Sequence, residues 1–186
     1  RADLAEADEA AGLVAAVVAK AGRPVDVLVN SASVFGRSDL RTFTREELDR
    51  ELRVNALAAL DLSRAVAAQG REAAIVNLVD ARVGDYVPGR VAYQLSKRML
   101  LSLTRMMAVE FAPAVRVNAV APGIVLPAED MDAAAVERMA RGNPLGRIGE
   151  AEDVAEAVAF LATSAFVTGQ VLYVDGGRHL RGAADD

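Results

Sequence analysis

Tyr93 and Lys97 stand four residues apart, and Asp80 precedes Tyr93 by thirteen. At this spacing on a helix, a phenol and an ammonium share one face. A phenol ordinarily titrates near pH 10, and bringing it to about 7 takes roughly 4 kcal/mol. A single cation about 4 Å away supplies about that much at an effective dielectric of about 20. Lys97 is therefore expected to lower Tyr93 and make it a proton donor or acceptor toward a substrate oxygen or nitrogen. On its own such a pair is ordinary helix-surface chemistry, so its surroundings decide what it means.

The elements that must carry these residues alternate between helix and strand. Residues 4–21 are Ala-rich with Leu13 and Val17 at helical spacing, and Gly22 and Pro24 stop them. Residues 25–30 form a short apolar run of strand length. Thr44 and Glu47 fit a capping box that opens a helix through Ala68. Residues 74–79 and 115–120 read as two further buried strands, and 91–111 as a helix ended by Pro113. Met131 to Ala140 and Glu152 to Leu161 read as helices, and 170–174 as the last strand. Apolar strands alternating with helices indicate an α/β parallel sheet, whose functional residues gather at the carboxyl ends of its strands. Asn30 to Ser33, Asp80, and Pro122-Gly123 all fall there.

Composition narrows the partners. The chain has 186 residues and is 53% hydrophobic, enough for one domain with a sizeable core. A net charge of −5 argues against nucleic acid or an anionic membrane as the main partner. There is no Cys and only one His (His179), so disulfides are excluded and a metal site is not expected. No membrane-length apolar run and no signal peptide is apparent, so a cytoplasmic location is expected.

Taken together, Asn30-Ser-Ala-Ser33, Asn55, Asp80, Tyr93, Lys97, Pro122-Gly123 and Val174-Asp-Gly-Gly177 resemble the short-chain dehydrogenase/reductase family over essentially the whole chain. The resemblance implies a Rossmann-like, doubly wound sheet. It implies that Tyr93 donates the proton, that Lys97 holds the nicotinamide ribose, and that Asn55 fixes a relay water. Asn30, Ser31, Ala32 and Ser33 would line the cofactor, Pro122, Gly123, Ile124 and Val125 would flank its nicotinamide, and Asp3-Leu4 would contact its adenine. Residues 124–143 would form a substrate lid. Glu152 to Val174 would be the interface of a homotetramer, and Arg178 or Arg181 would reach a neighbouring pocket.

Two departures sharpen this reading. The first is the absence of a Gly-rich phosphate turn after a strand; Gly142, Gly146 and Gly149 surround Pro144 and follow no strand. The resemblance therefore implies that the first βαβ unit, over ~30 residues, lies outside this chain, and that these residues alone leave a sheet face and edge uncovered. The second is Asp80, where the family usually has a Ser that donates to a carbonyl oxygen. Asp80 suits a nitrogen heterocycle, donating to a ring nitrogen if protonated or accepting from ring N–H and amino groups if ionised. Asp80 together with Asn30-Ser-Ala-Ser-Val-Phe35 resembles the pteridine reductases and dihydromonapterin reductases. Phe35 would stack on the pterin, and Ser33 would touch both pterin and cofactor. The expectation is hydride transfer from NADP(H), with NAD left open, to a pterin C=N bond. The alternatives are a general ketone or alcohol dehydrogenase, such as a 3-oxoacyl thioester reductase, and a non-catalytic oligomerising member.

Overall fold

Short runs of small and β-branched side chains form the centre of the sheet. In a computed structural model, which describes residues 2–126 and 132–181, β2 (Ala73–Leu78) and β3 (Val115–Pro122) are buried almost throughout. Such strands need cover on both faces. The sheet is four-stranded and wholly parallel, in the order β1 (Val27–Asn30), β2, β3, β4 (Val171–Val174).

Helices cover both faces. On one, α1 (Ala7–Ala21), α3 (Ala58–Ala67) and α4 (Val91–Glu110) set Val14, Leu62, Val66 and Met107 against Ile75 and Val117. On the other, α6 (Ala151–Thr163) sets Ala157 and Leu161 against Val76 and Val120. The shorter α2 (Arg45–Leu52) leads toward α3, and α5 (Ala133–Gly142) precedes α6. Strand β1 has a neighbour on one side only. Its Val27 and Val29 are 47% and 41% exposed.

Several boundaries differ from those expected, each for a local reason. The first helix begins at Ala7, because Asp3 accepts from the Ala5 N–H and forms a turn ahead of it. The first strand begins at Val27, because the Gln69 side chain takes both the N–H and the carbonyl of Val25. The helix opened by the Thr44–Glu47 capping box is interrupted by a π turn, Arg53–Leu57. Pro122 ends β3 without breaking it: its carbonyl accepts from the Ala81 N–H, and the Gly123 N–H donates to the Val174 carbonyl. Gly142 closes α5 and Gly146 sits in a left-handed turn with φ 69°, so neither belongs to a phosphate-binding turn. Met131 lies outside the described residues; the helix expected there runs from Ala133 to Gly142.

A buried polar ladder ties the strands to the helices beneath the cleft. Asn30 donates to Asn77 at 2.8 Å, and Asn77 donates to Thr104 at 2.8 Å. Thr104 passes its own proton to the Leu100 carbonyl at 2.8 Å. Because every member is satisfied, the ladder fixes the register of β1, β2 and α4. Thr104→Val keeps the shape but orphans a fully buried amide. The expected loss is about 1–3 kcal/mol of unfolding free energy, read by urea denaturation. An unchanged midpoint would show that Asn77 finds another acceptor.

Candidate active site

Parallel strands end together, and here their ends open onto one cleft of about 390 Å³. Ser31 and Ser33 line it after β1, Asp80 after β2, and Pro122, Gly123 and Val125 at the end of β3. Tyr93 and Lys97 enter it from the first turns of α4. A second groove of about 290 Å³ shares Ser31 and continues past Asn30, Ala32, Asn55 and Leu4. The residues expected from the sequence therefore line these two spaces, except Phe35, which borders a neighbouring cleft, and Asp3 and Ile124. Asp3 is exposed and spends its carboxylate on the turn before α1. Ile124 is tied through its carbonyl to the Gly149 N–H at 2.9 Å. Gly123 has to be glycine, since a Cβ there would stand 2.7 Å from that of Asp175.

The start of α4 is held from two directions. Ser38 accepts from the N–H of Ala92 through its hydroxyl and from that of Val91 through its carbonyl. Gln94 bonds the Val87 N–H and the Asp85 carbonyl, and Arg98 donates to the Val83 carbonyl. Thus the loop of residues 80–90 and α4 form one unit, and Asp80 is brought to Tyr93.

Asp80 accepts at both oxygens. The Arg82 N–H reaches Oδ1 at 2.7 Å, and the Tyr93 hydroxyl donates to Oδ2 at 2.9 Å. This geometry reverses the expected effect on Tyr93. Burial raises its pKa above the usual phenol value, and the Asp80 carboxylate raises it further. Lys97 does not offset this, for its Nζ donates to the Leu78 carbonyl at 2.8 Å and lies 5.8 Å from the ring centroid. Burial pushes Lys97 itself down from 10.5 to about 8, against the pull of Asp80 and Glu51. Tyr93 is thus held as a neutral acid.

Asn55 sits at the centre of the π turn, where Ala58 N–H reaches back to the Arg53 carbonyl. Widened turns of this kind are frequent at functional sites. The Asn55 side chain exchanges two bonds with Val34, accepting from its N–H at 2.8 Å and donating to its carbonyl at 3.0 Å. The same amide nitrogen lies 2.9 Å from Ser96 Oγ and 2.8 Å from Glu51 Oε2, its two hydrogens shared among three acceptors, so Asn55 acts as a clamp between loop and helices. Phe35 follows Val34. Its ring meets that of Tyr93 nearly at right angles at a centroid distance of 4.6 Å, while Arg90 lies over its face at 3.8 Å. Phe35 borders a neighbouring cleft, and a flat ring stacking on the face under Arg90 would displace it.

Glu51 and Arg90 were not among the residues singled out from the sequence. Glu51 had a legible signal: with Asn55, Leu62 and Val66 it lies on the buried stripe of one helix, where a charge is out of place. Arg90 had none, since its position depends on the loop after β1 crossing α4. His179 donates from its backbone to the Asp175 carboxylate, contacts it again through its ring, and stacks on Tyr173. No cluster suited to a metal occurs among the described residues.

A family model described as enoyl-(acyl carrier protein) reductase matches residues 1–179. An uncharacterized oxidoreductase of Schizosaccharomyces pombe is 37% identical over 189 residues, covering 95% of this chain and 72% of that protein. The chain belongs to the short-chain dehydrogenase/reductase family. Within the family, the 3-oxoacyl-[acyl-carrier-protein] reductase FabG of Thermotoga maritima is 36% identical over 94% of this chain and 74% of its own length. The crystal structure of FolM alternative dihydrofolate reductase 1 from Brucella suis, in complex with NADP, superposes with a TM-score of 0.88. It is 32% identical, over 96% of this chain and 72% of that one. The chain is an oxidoreductase of this family with the expected α/β parallel sheet. No helix among the described residues is long and apolar enough to cross a membrane.

The buried Lys97 makes stability depend on pH. Its pKa in the folded chain is depressed, so between about 8 and 10.5 the unfolded chain holds the extra proton and stability rises with pH. Tyr93 acts oppositely, but only above its unfolded value of about 10. From pH 7.5 to 9.5, Lys97 is expected to add about 2 kcal/mol at most. Urea unfolding at the two pH values should show this rise in the wild type and its absence in Lys97→Met. Equal slopes in both chains would count against a depressed Lys97.

Proposed function

We propose that the protein reduces a C=N bond of a pterin or dihydropterin ring. The observation that carries this reading is Asp80, an acceptor at the place of the family's usual Ser, bonded directly to the proton donor. The residues present suit the nicotinamide-ribose half of a dinucleotide: Lys97 and Tyr93 offer donors, and Ser31, Pro122, Gly123 and Val125 border the same space. NADPH supplies the hydride, and the NADP complex of the Brucella suis structure supports this choice over NADH.

Proton traffic follows from the electrostatics. Reduction adds a hydride to the ring carbon and a proton to the ring nitrogen. Tyr93, kept neutral by burial and by Asp80, carries that proton at every physiological pH. Oxidation of an alcohol would instead need the phenolate, which the same surroundings oppose. Asp80 exchanges its bond with Tyr93 for ring N–H or amino donors of the substrate, while a carbonyl oxygen gaining charge would be repelled by it. The phenolate left on Tyr93 then takes a proton back from solvent, with the Lys97 ammonium 5.8 Å from the ring favouring its charge meanwhile. Phe35 covers the pterin from the side of the loop, and Asn55 holds that loop. The similarity to FolM alternative dihydrofolate reductase 1 supports the pterin.

Reduction of a 3-oxoacyl thioester is the second reading, favoured by the likeness to FabG. A substrate panel with NADPH separates the two. Dihydropterin turnover with little activity on ketones is expected from the wild type. Asp80→Ser should lose about 10- to 100-fold in kcat/KM for the dihydropterin, the value of one charge-assisted hydrogen bond. Its activity on ketones should not fall. Intact pterin turnover in Asp80→Ser would remove the special role of the carboxylate.

A further inference from the structure

Three consecutive residues of the loop after β1 are held by side chains from elsewhere. Val34 is clamped by Asn55. The Phe35 carbonyl accepts from Arg90 Nη1 at 2.9 Å. The Gly36 N–H donates to Glu51 Oε1 at 2.6 Å, and the other oxygen of Glu51 accepts from Asn55 at 2.8 Å. Glu51 is 4% exposed. Burying a carboxylate costs several kcal/mol unless its oxygens are bonded, and here each has an N–H donor. Gly36 is matched to it, because a Cβ at this position would stand 2.8 Å from Glu51 Oε1. One carboxylate thus joins the loop that carries Phe35 to the turn that carries Asn55. Both lie against Tyr93, Phe35 through its ring and Asn55 through Ser96, whose hydroxyl donates to the Tyr93 carbonyl at 2.7 Å.

We propose that Glu51 is a positioning residue for the reaction: it sets the Phe35 loop and Asn55 in register with Tyr93, and Gly36 is the position cut to receive it. Glu51 touches no substrate atom in this account. Its effect travels through two hydrogen bonds, both of which end on groups beside the proton donor. An apolar residue at position 51 would satisfy the buried face of the helix equally well, yet would leave the Gly36 N–H without this acceptor and Asn55 with one partner fewer. The inference rests on Tyr93 being the proton donor of the proposed reduction, and its test includes a measurement that needs no turnover.

Glu51→Gln keeps the shape but turns an NH2 toward one of the two N–H donors. Gly36→Ala displaces the carboxylate from the loop side, at a position that is not part of the core. In both variants kcat for dihydropterin reduction is expected to fall about tenfold or more, as misplacement of reacting groups does. The double variant should lose no more than the worse single one. Independently of activity, the nuclear Overhauser contact between the rings of Phe35 and Tyr93 should be present in the wild type and lost or weakened in both variants. Multiplying effects in the double variant, or a ring contact intact in Gly36→Ala, would overturn the inference. If Glu51→Gln does not fold, Gly36→Ala alone decides. If the wild type turns over no pterin while the ring contact still depends on both residues, the functional reading fails and the positioning role stands.

Discussion

Lys97 carries an ammonium to a place only 3% exposed, and much of the architecture around the cleft serves to keep it there. Burial opposes its charge and lowers its pKa from 10.5 to about 8. The Leu78 carbonyl, at the end of β2, accepts from it, and the carboxylates of Asp80 and Glu51 favour its charge. These contacts set α4 at a fixed height over the sheet. Tyr93, one turn earlier, is then delivered to Asp80. The same two carboxylates act on Tyr93 with the opposite chemical result, since what stabilises an ammonium opposes a phenolate. A cation and an acid stand side by side, each held in its protonated form by shared anions.

This arrangement explains why a parallel sheet suits the chemistry. Strand interiors supply rigid apolar support, with Ile75, Val76, Val117 and Val120 fully buried. Strand ends supply the irregular backbone that functional side chains need. Between the two lies a polar layer of Asn30, Asn77 and Thr104, which ties β1 and β2 to α4 without opening the core to water. The loop after β1 lies nearer the surface, with Phe35 59% exposed. Side chains from α4 and from the helix containing the π turn hold it, so its placement is a property of the assembled site.

Much of the site was legible before any coordinates. The alternation of apolar runs with helical segments marked the strand ends, and Asn30, Asp80 and Pro122 stood at them. The i,i+4 spacing of Tyr93 and Lys97 placed both on one helical face, and Asp80 stood out as a carboxylate at a strand end. Less legible were the features that depend on two elements crossing. The π turn interrupts a helix whose sequence shows no Gly or Pro, and Asn55, at its centre, clamps Val34. Arg90 over Phe35 and Glu51 at Gly36 join residues 55 and 15 positions apart, beyond any local pattern.

By itself, the sequence determined the periodicities, the order of elements and the chemical types at the strand ends, because those follow from side-chain hydrophobicity and local spacing. Only the tertiary structure decided the sign of the central electrostatic effect. Spacing alone pairs Tyr93 with Lys97 and lowers the phenol. In the fold, the ammonium turns to the Leu78 carbonyl and the phenol turns to Asp80, so the pKa of Tyr93 rises. The physical reason is that pKa depends on desolvation and on which charge lies within hydrogen-bonding distance, and both are set by segments that the sequence keeps far apart.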